Sequence, residues 1–381
     1  MAETTTYQCP NCQGRLRFDS DLGKLKCDFC DSEFTTEEIE QLYAEKQEAA
    51  DEKVEPVAEA APAVAPAQGE DPVDTYLRNA HWDGLDEEQL RSFNCSSCGA
   101  QLLVDQVTAV TSCPYCGNNA VVPGQLADML KPDFVIPFKL DRDAAVAALR
   151  NYYKGKKFLP NGFMTDNHIE EIQGVYVPFW LYSGSASADV SFDARNIRTW
   201  SDSDNNYTDT DHYLVERAGT MEFHRVPVDG STKMPDAHMD SIEPFDYSEM
   251  VPFSVGYLPG YLTDRYDQGV KTCEKRANKR VKETCVNTMR GTVTGYMEVD
   301  TKSASTQLNL NDIAYALLPV WMLHTKWNDQ DYLFAMNGQT GRLVGDLPID
   351  GGKVMRWSCG IFFPLAIILF VVVWFTLGFG M

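Results

Sequence analysis

The sequence is poor in cations: 33 Lys and Arg stand against 55 Asp and Glu, a formal charge of −22. A chain with that balance repels phosphate backbones unless a local patch reverses the sign, so nucleic acid is the less favoured partner. The usual signatures of catalysis are also missing. No Gly-x-x-x-x-Gly-Lys-Ser/Thr, no His-Glu-x-x-His and no Gly-x-Ser-x-Gly occurs. The six histidines (His81, His168, His212, His224, His238 and His324) lack metal-ligand spacing and read as packing or surface residues. The sequence thus offers no candidate catalytic or cofactor-binding residue, and an enzyme is the less favoured class. No secretory signal opens the chain, so its thiols are expected in a reducing compartment.

What is present begins with those thiols. Of 11 cysteines, eight form four Cys-x-x-Cys pairs. Cys9 and Cys12 precede Cys27 and Cys30, and Cys95 and Cys98 precede Cys113 and Cys116 at the same separation. Two residues between cysteines let one tight turn present two sulfurs, and two such turns complete a tetrahedron around Zn²⁺. Gly14, Gly99 and Gly117 ease the bends. A redox Cys-x-x-Cys would open a helix in a βαβ setting, which is absent here. The spacing therefore predicts two zinc ribbons and two structural Zn²⁺ ions with all ligands from protein. The first ribbon mixes both charge signs. The second has no Lys or Arg from Ser92 to Leu130, which favours a protein-contact or architectural role over nucleic-acid binding.

Composition sets the domain plan: ribbon 1 over 1–35, a short helix and acidic Ala/Pro-rich linker over 36–73, and a helical lead-in with ribbon 2 over 74–130. An α+β domain over 131–350 and an anchor over 351–381 complete it. Thr35 and Glu38 form a capping box, while the stretch from Ala49 to Pro72 has almost nothing large to bury and reads as a tether. Tyr76, Leu77, Trp82, Leu85, Leu90 and Phe93 fall at helix-like spacings. In the α+β region, Phe134–Phe138 reads as a strand, Asp141 caps a helix through Tyr153, and Ala186 to Trp200 alternates as a half-buried strand. A second long helix spans Asp267 to Met289, and Asn337-Gly338-Gln339-Thr340-Gly341 reads as a hairpin. Val177-Pro178-Phe179-Trp180-Leu181-Tyr182 matches Leu318-Pro319-Val320-Trp321-Met322-Leu323, so the region is two halves that either arose by duplication or share only strand composition. The prolines are expected at edges or bulges.

From Trp357 to Met381 no side chain is charged, enough for one membrane-spanning helix. Lys353 and Arg356 precede it, which predicts a single-pass tail anchor with the N-terminal domains in the cytoplasm. One helix face, Lys271, Lys275, Lys279 and Lys282, runs against the acidic background. Either it contacts lipid headgroups or another polyanion, or it is solvated and paired with the protein's own acids.

The paired ribbons, the Pro-x-Trp strands, the stretch from Leu333 to Pro348 and the C-terminal anchor together resemble a family of bacterial membrane proteins described as carrying zinc ribbons of the transcription factor IIB type. The resemblance spans nearly the whole chain and implies two zinc ribbons and a membrane location, with no activity to carry over to any residue. The function expected is a membrane-anchored zinc-ribbon adaptor or scaffold that holds a cytoplasmic protein partner at the inner membrane face. The alternative is nucleic-acid binding at the membrane through ribbon 1 and the basic helix at 271–290.

Overall fold

The computed structural model describes residues 10, 16–19, 24–27, 30–35, 38–39, 71–79, 90–105, 112–118, 121–123, 130–164, 172–203, 205–328 and 330–378. In chain order these form β1 (Leu16–Asp19), β2 (Lys24–Cys27), β3 (Glu33–Phe34), α1 (Pro72–Asn79), β4 (Leu90–Cys95), β5 (Gln101–Asp105), β6 (Val121–Pro123) and β7 (Phe134–Val135). Then come α2 (Arg142–Tyr153), β8 (Gln173–Ser201), β9 (Asn206–Asp229), α3 (Asp236–Ser241), β10 (Val251–Pro252), β11 (Leu262–Asp264) and α4 (Val270–Gly291). Last are β12 (Glu298–Trp327), β13 (Gln330–Asn337), β14 (Leu343–Gly345) and α5 (Gly351–Gly378). The class is mixed α+β. Strands β1 to β3 make a small antiparallel sheet, and the other described strands make one 11-stranded sheet.

At its centre β8 and β12 run antiparallel, with Val177 opposite Leu318. Side chains alternate across a strand, so each strand feeds two cores. Tyr176, Trp180 and Tyr182 with Tyr315, Leu317 and Trp321 line one face, where they meet Leu149 and Tyr153 of α2 and Val270 and Ala277 of α4. Val175, Val177, Phe179 and Leu181 with Ala316, Leu318 and Val320 line the other, against Cys95, Cys113, Met239 and Phe245. Burial on both faces explains why 174–182 is a nearly continuous apolar run.

A two-fold correspondence runs through the Val177–Leu318 pair. β11 pairs parallel with β8 at Val175 and Tyr176, and β7 pairs parallel with β12 at Ala316 and Leu317. Gly230 N–H donates to Pro178 O and Gly338 N–H to Pro319 O, each at 2.8 Å. The carbonyl of Gly230 accepts from Asp267 and Gln268, and that of Gly338 from Lys139 and Leu140, just before α4 and α2 respectively. The first strand of each unit therefore pairs with the long strand of the other. This arrangement corrects the expectation for the prolines. Pro178 and Pro319 lie in central strands, but at the points where the flanking strand changes from β11 to β9 and from β7 to β13, so their missing N–H groups cost no ladder bond.

Past the core, β8, β9 and β12 continue as an arm, about 60 Å from Tyr182 to Ser201 at the usual rise per residue, three-stranded as far as Arg195 and formed by β8 and β9 alone beyond it. Ala186, Ala188, Val190, Phe192 and Ala194 put one face of the arm under Val281, Cys285 and Met289 of α4. Local signals read from sequence recur here. Asp141 accepts from Ala144 N–H at 2.7 Å, and Thr35 and Glu38 exchange side-chain to backbone bonds at 2.8 and 3.1 Å. Two readings change. Leu90 and Phe93 belong to strand β4, because ladder bonds to β5 and β6 capture them, and the strand at 134 is only two residues long. Trp82 and Leu85 lie outside the described residues.

Candidate metal centre

Cys95 ends β4, and the chain then turns through Cys98 into β5. Cys95 N–H donates to Ala100 O at 2.8 Å and its carbonyl accepts from Gly99 N–H at 3.0 Å. The second turn repeats this: Cys113 N–H donates to Asn118 O, and Gly117 N–H to Cys113 O, both at 2.9 Å. Gly99 and Gly117 take φ of 71° and 67°, a region that a Cβ disfavours. The two turns face each other. Cys95 and Cys116 sulfurs are 3.6 Å apart, as are those of Cys98 and Cys113, and all four lie within 4.8 Å of one another.

Four thiolates at about 2.3 Å from a tetrahedral ion stand about 3.8 Å from each other, so this spacing fits a metal ion. Electrostatics also favour a cation. Burial pushes up the thiols of Cys113 and Cys98. At Cys95 burial acts the same way, but backbone N–H groups of Cys98 and Ser97 and the thiols of Cys116 and Cys98 outweigh it and bring the group down to about 7. The Cys95 thiolate forms readily, and those of Cys98 and Cys113 need a positive partner.

The cluster is fastened to the sheet on several sides. β5 pairs with β11, so the segment that carries the cluster continues the large sheet and shares its core. Lys233 Nζ donates to Cys98 O at 3.1 Å, and Gln173 Nε2 to Ser112 Oγ at 2.8 Å. Buried His324 packs against Gly117 and is held by Asp331 at 3.0 Å. Sequence reasoning missed Lys233 and Gln173, which approach the turns only through long-range pairing. Tyr115, between the last two cysteines, is buried and interacts electrostatically with Asp264. Burial raises Asp264 to about 7 against the lowering influence of Ser231 and Tyr115, and neither carboxylate oxygen has a well-formed hydrogen bond.

Of the first set, Cys9 and Cys12 lie outside the described residues, as does the side chain of Cys27. Cys30 is exposed, with its sulfur 3.2 Å from Ser32 Oγ. The basic face is placed on α4. Lys271 pairs with Asp74 at 2.6 Å and Lys279 lies 3.9 Å from Glu283, while Lys275 and Lys282 are exposed. Two arginines of the same helix turn inward: Arg276 meets Asp229, Asp236 and Asp240, and Arg280 meets Glu243. The sequence-level excess of charge on this helix is thus offset by acids from distant segments. Helix α5 is long and apolar enough to cross a membrane, and none of its apolar stretch is buried against the protein.

The chain is 30% identical over 356 residues to the "Uncharacterized protein YdjG" of Bacillus subtilis (strain 168), covering 93% of this chain and 94% of the relative. The chain belongs to that protein's family. No family model matches it, and no solved structure does.

Proposed function

We propose that the chain is a membrane-anchored adaptor that holds a cytoplasmic protein partner at the inner membrane face, with two structural zinc ions. The observation that carries this reading is the closure of the cluster at Cys95, Cys98, Cys113 and Cys116, whose four sulfurs would fill a tetrahedral ion's sites and leave none for water or substrate. A metal enclosed in this way stabilises a surface rather than performing chemistry. The linker at 36–73 gives the first ribbon reach, while α5 confines it to the membrane. Lys353 and Arg356 before the apolar run support a cytoplasmic position for the preceding residues. The matched contacts around Trp180 and Trp321 support an internal duplication within 131–350.

The test is affinity capture from gently solubilised membranes with wild type and a Cys95→Ser/Cys98→Ser variant, analysing both protein and nucleic acid. A specific protein lost with the ribbon supports the adaptor. Nucleic acid retained by the wild type and released by moderate salt, with no protein partner, overturns it.

A further inference from the structure

The strongest cationic surface beside α5 is not the face of α4 but a loop from another part of the chain. After α2 the chain reads Lys154-Gly155-Lys156-Lys157-Phe158, all exposed, and no acid occurs from Ala144 to Thr165. This loop is fixed against the first turns of α5. Asp350 N–H donates to Phe158 O at 2.8 Å, and Lys353 Nζ donates to Leu159 O at 2.5 Å and to Asn161 Oδ1 at 2.6 Å. Lys157 Nζ stands 4.3 Å from the centre of the Trp357 ring, and Phe158 meets the same ring edge-on at 6.3 Å. Along the loop and the start of α5, five cations (Lys154, Lys156, Lys157, Lys353 and Arg356) face one carboxylate, Asp350.

We propose that this collar binds the headgroups of anionic phospholipids. The inference rests on α5 being the membrane anchor. A spanning helix brings its first turns to headgroup depth, where amphipathic aromatic rings and long cationic side chains are favoured. Trp357 and Phe158 are half-exposed there, and Lys154, Lys156 and Lys157 of the adjoining loop are exposed, so their charges are open to phosphates at that depth. The whole chain carries −22, so an anionic bilayer repels most of it, and the collar reverses that sign only where the chain must approach the bilayer. The α4 lysines sit elsewhere. Trp327, at one end of β12, touches Gly162 beside the collar, whereas the second half of α4 covers the arm toward the other end.

The experiment reconstitutes the full chain in nanodiscs of equimolar phosphatidylglycerol and phosphatidylcholine, confirms insertion by resistance to alkaline extraction, and reads lipid preference by native mass spectrometry. Wild type should prefer phosphatidylglycerol. A Lys154→Gln/Lys156→Gln/Lys157→Gln variant should insert equally but lose roughly tenfold of that preference, from the cost of removing lysines at a charged surface. A Lys275→Gln/Lys279→Gln/Lys282→Gln variant should keep it. An inserted wild type without preference, or preference lost with the α4 variant alone, overturns the proposal while leaving the anchor standing. A wild type that fails to insert overturns both.

Discussion

Trp180 and Trp321 stand in strands that pair with each other, and each indole N–H donates at 2.9 Å to the carbonyl preceding a helix N-cap, Gln268 for one and Leu140 for the other. Replacing either by Phe keeps an aromatic ring but removes the donor. Each substitution should lower stability by about 1–2 kcal/mol, and the two losses should be similar. Denaturant titration checks this; a loss confined to one tryptophan would contradict the equivalence of the two positions.

Cys98→Ser removes one sulfur from the closed cluster. Bound zinc should fall by one equivalent per chain, and because the segment that carries the cluster continues the large sheet through β5, the melting temperature of the sheet as a whole should fall with it. Elemental analysis and calorimetry on the same sample test both parts. Zinc content equal to wild type would exclude this cluster as a zinc site.

Much of this was legible in the sequence wherever the cause is local. The cap at Asp141, the box at Thr35 and Glu38, and the paired knuckles each depend on residues a few positions apart, so spacing alone reveals them. The spacing of Leu90 and Phe93 suggests a helix because a separation of three fits a helix face as well as a half-buried strand. Their ladder partners, at Asp105, Leu102 and Pro123, decide the matter. The long strands are not legible as units because each changes pattern midway, β8 from burial on both faces to alternation and β12 in the reverse order. No local pattern connects Arg276 with Asp229, 47 residues away, which it meets only in the folded chain.

That ion pair yields a third prediction. Asp229 is buried and its pKa is raised to about 6 by burial, partly countered by Arg276. Arg276→Met would strand the carboxylate, at a cost of about 3–5 kcal/mol. Adding Asp229→Leu should recover part of that loss. Thermal denaturation of the single and double variants decides it, and a double variant no better than the single would show that the pair is not what Arg276 contributes.

Stability should also depend on pH in an unusual direction for carboxylates. Asp264 and Asp229 hold protons more tightly when folded, with values raised to about 7 and about 6. Their contribution is fully present below the unfolded value of about 4 and is lost as pH rises through those folded values. Asp264→Asn should therefore stabilise the protein at pH 8 and flatten the profile between pH 4 and 7. A variant profile parallel to wild type would show that Asp264 is not the group responsible.

Gly184 sits where β8 shifts register against β9, and a Cβ there would run into the backbone carbonyl of Asn309 in β12. Backbone cannot swing aside as a side chain can. Gly184→Ala should cost about 1–3 kcal/mol, read by calorimetry, whereas Gly269→Ala, with open space around it, should cost far less.

The interlaced pairing of β7 with β12 and of β11 with β8 also governs the order in which the protein can be completed. As the chain is made, β8 and β9 can form a hairpin early, but the central edge of β8 stays open until β12 arrives, long after. Through that interval a strand apolar on both faces has no cover, the state in which chains associate wrongly. The last long strand is followed shortly by α5, so on the membrane-anchored reading proposed above, closing the sheet and delivering the apolar helix to a bilayer would fall close together in time. A cell making this protein therefore has a half-built sheet to shelter until nearly the end of synthesis.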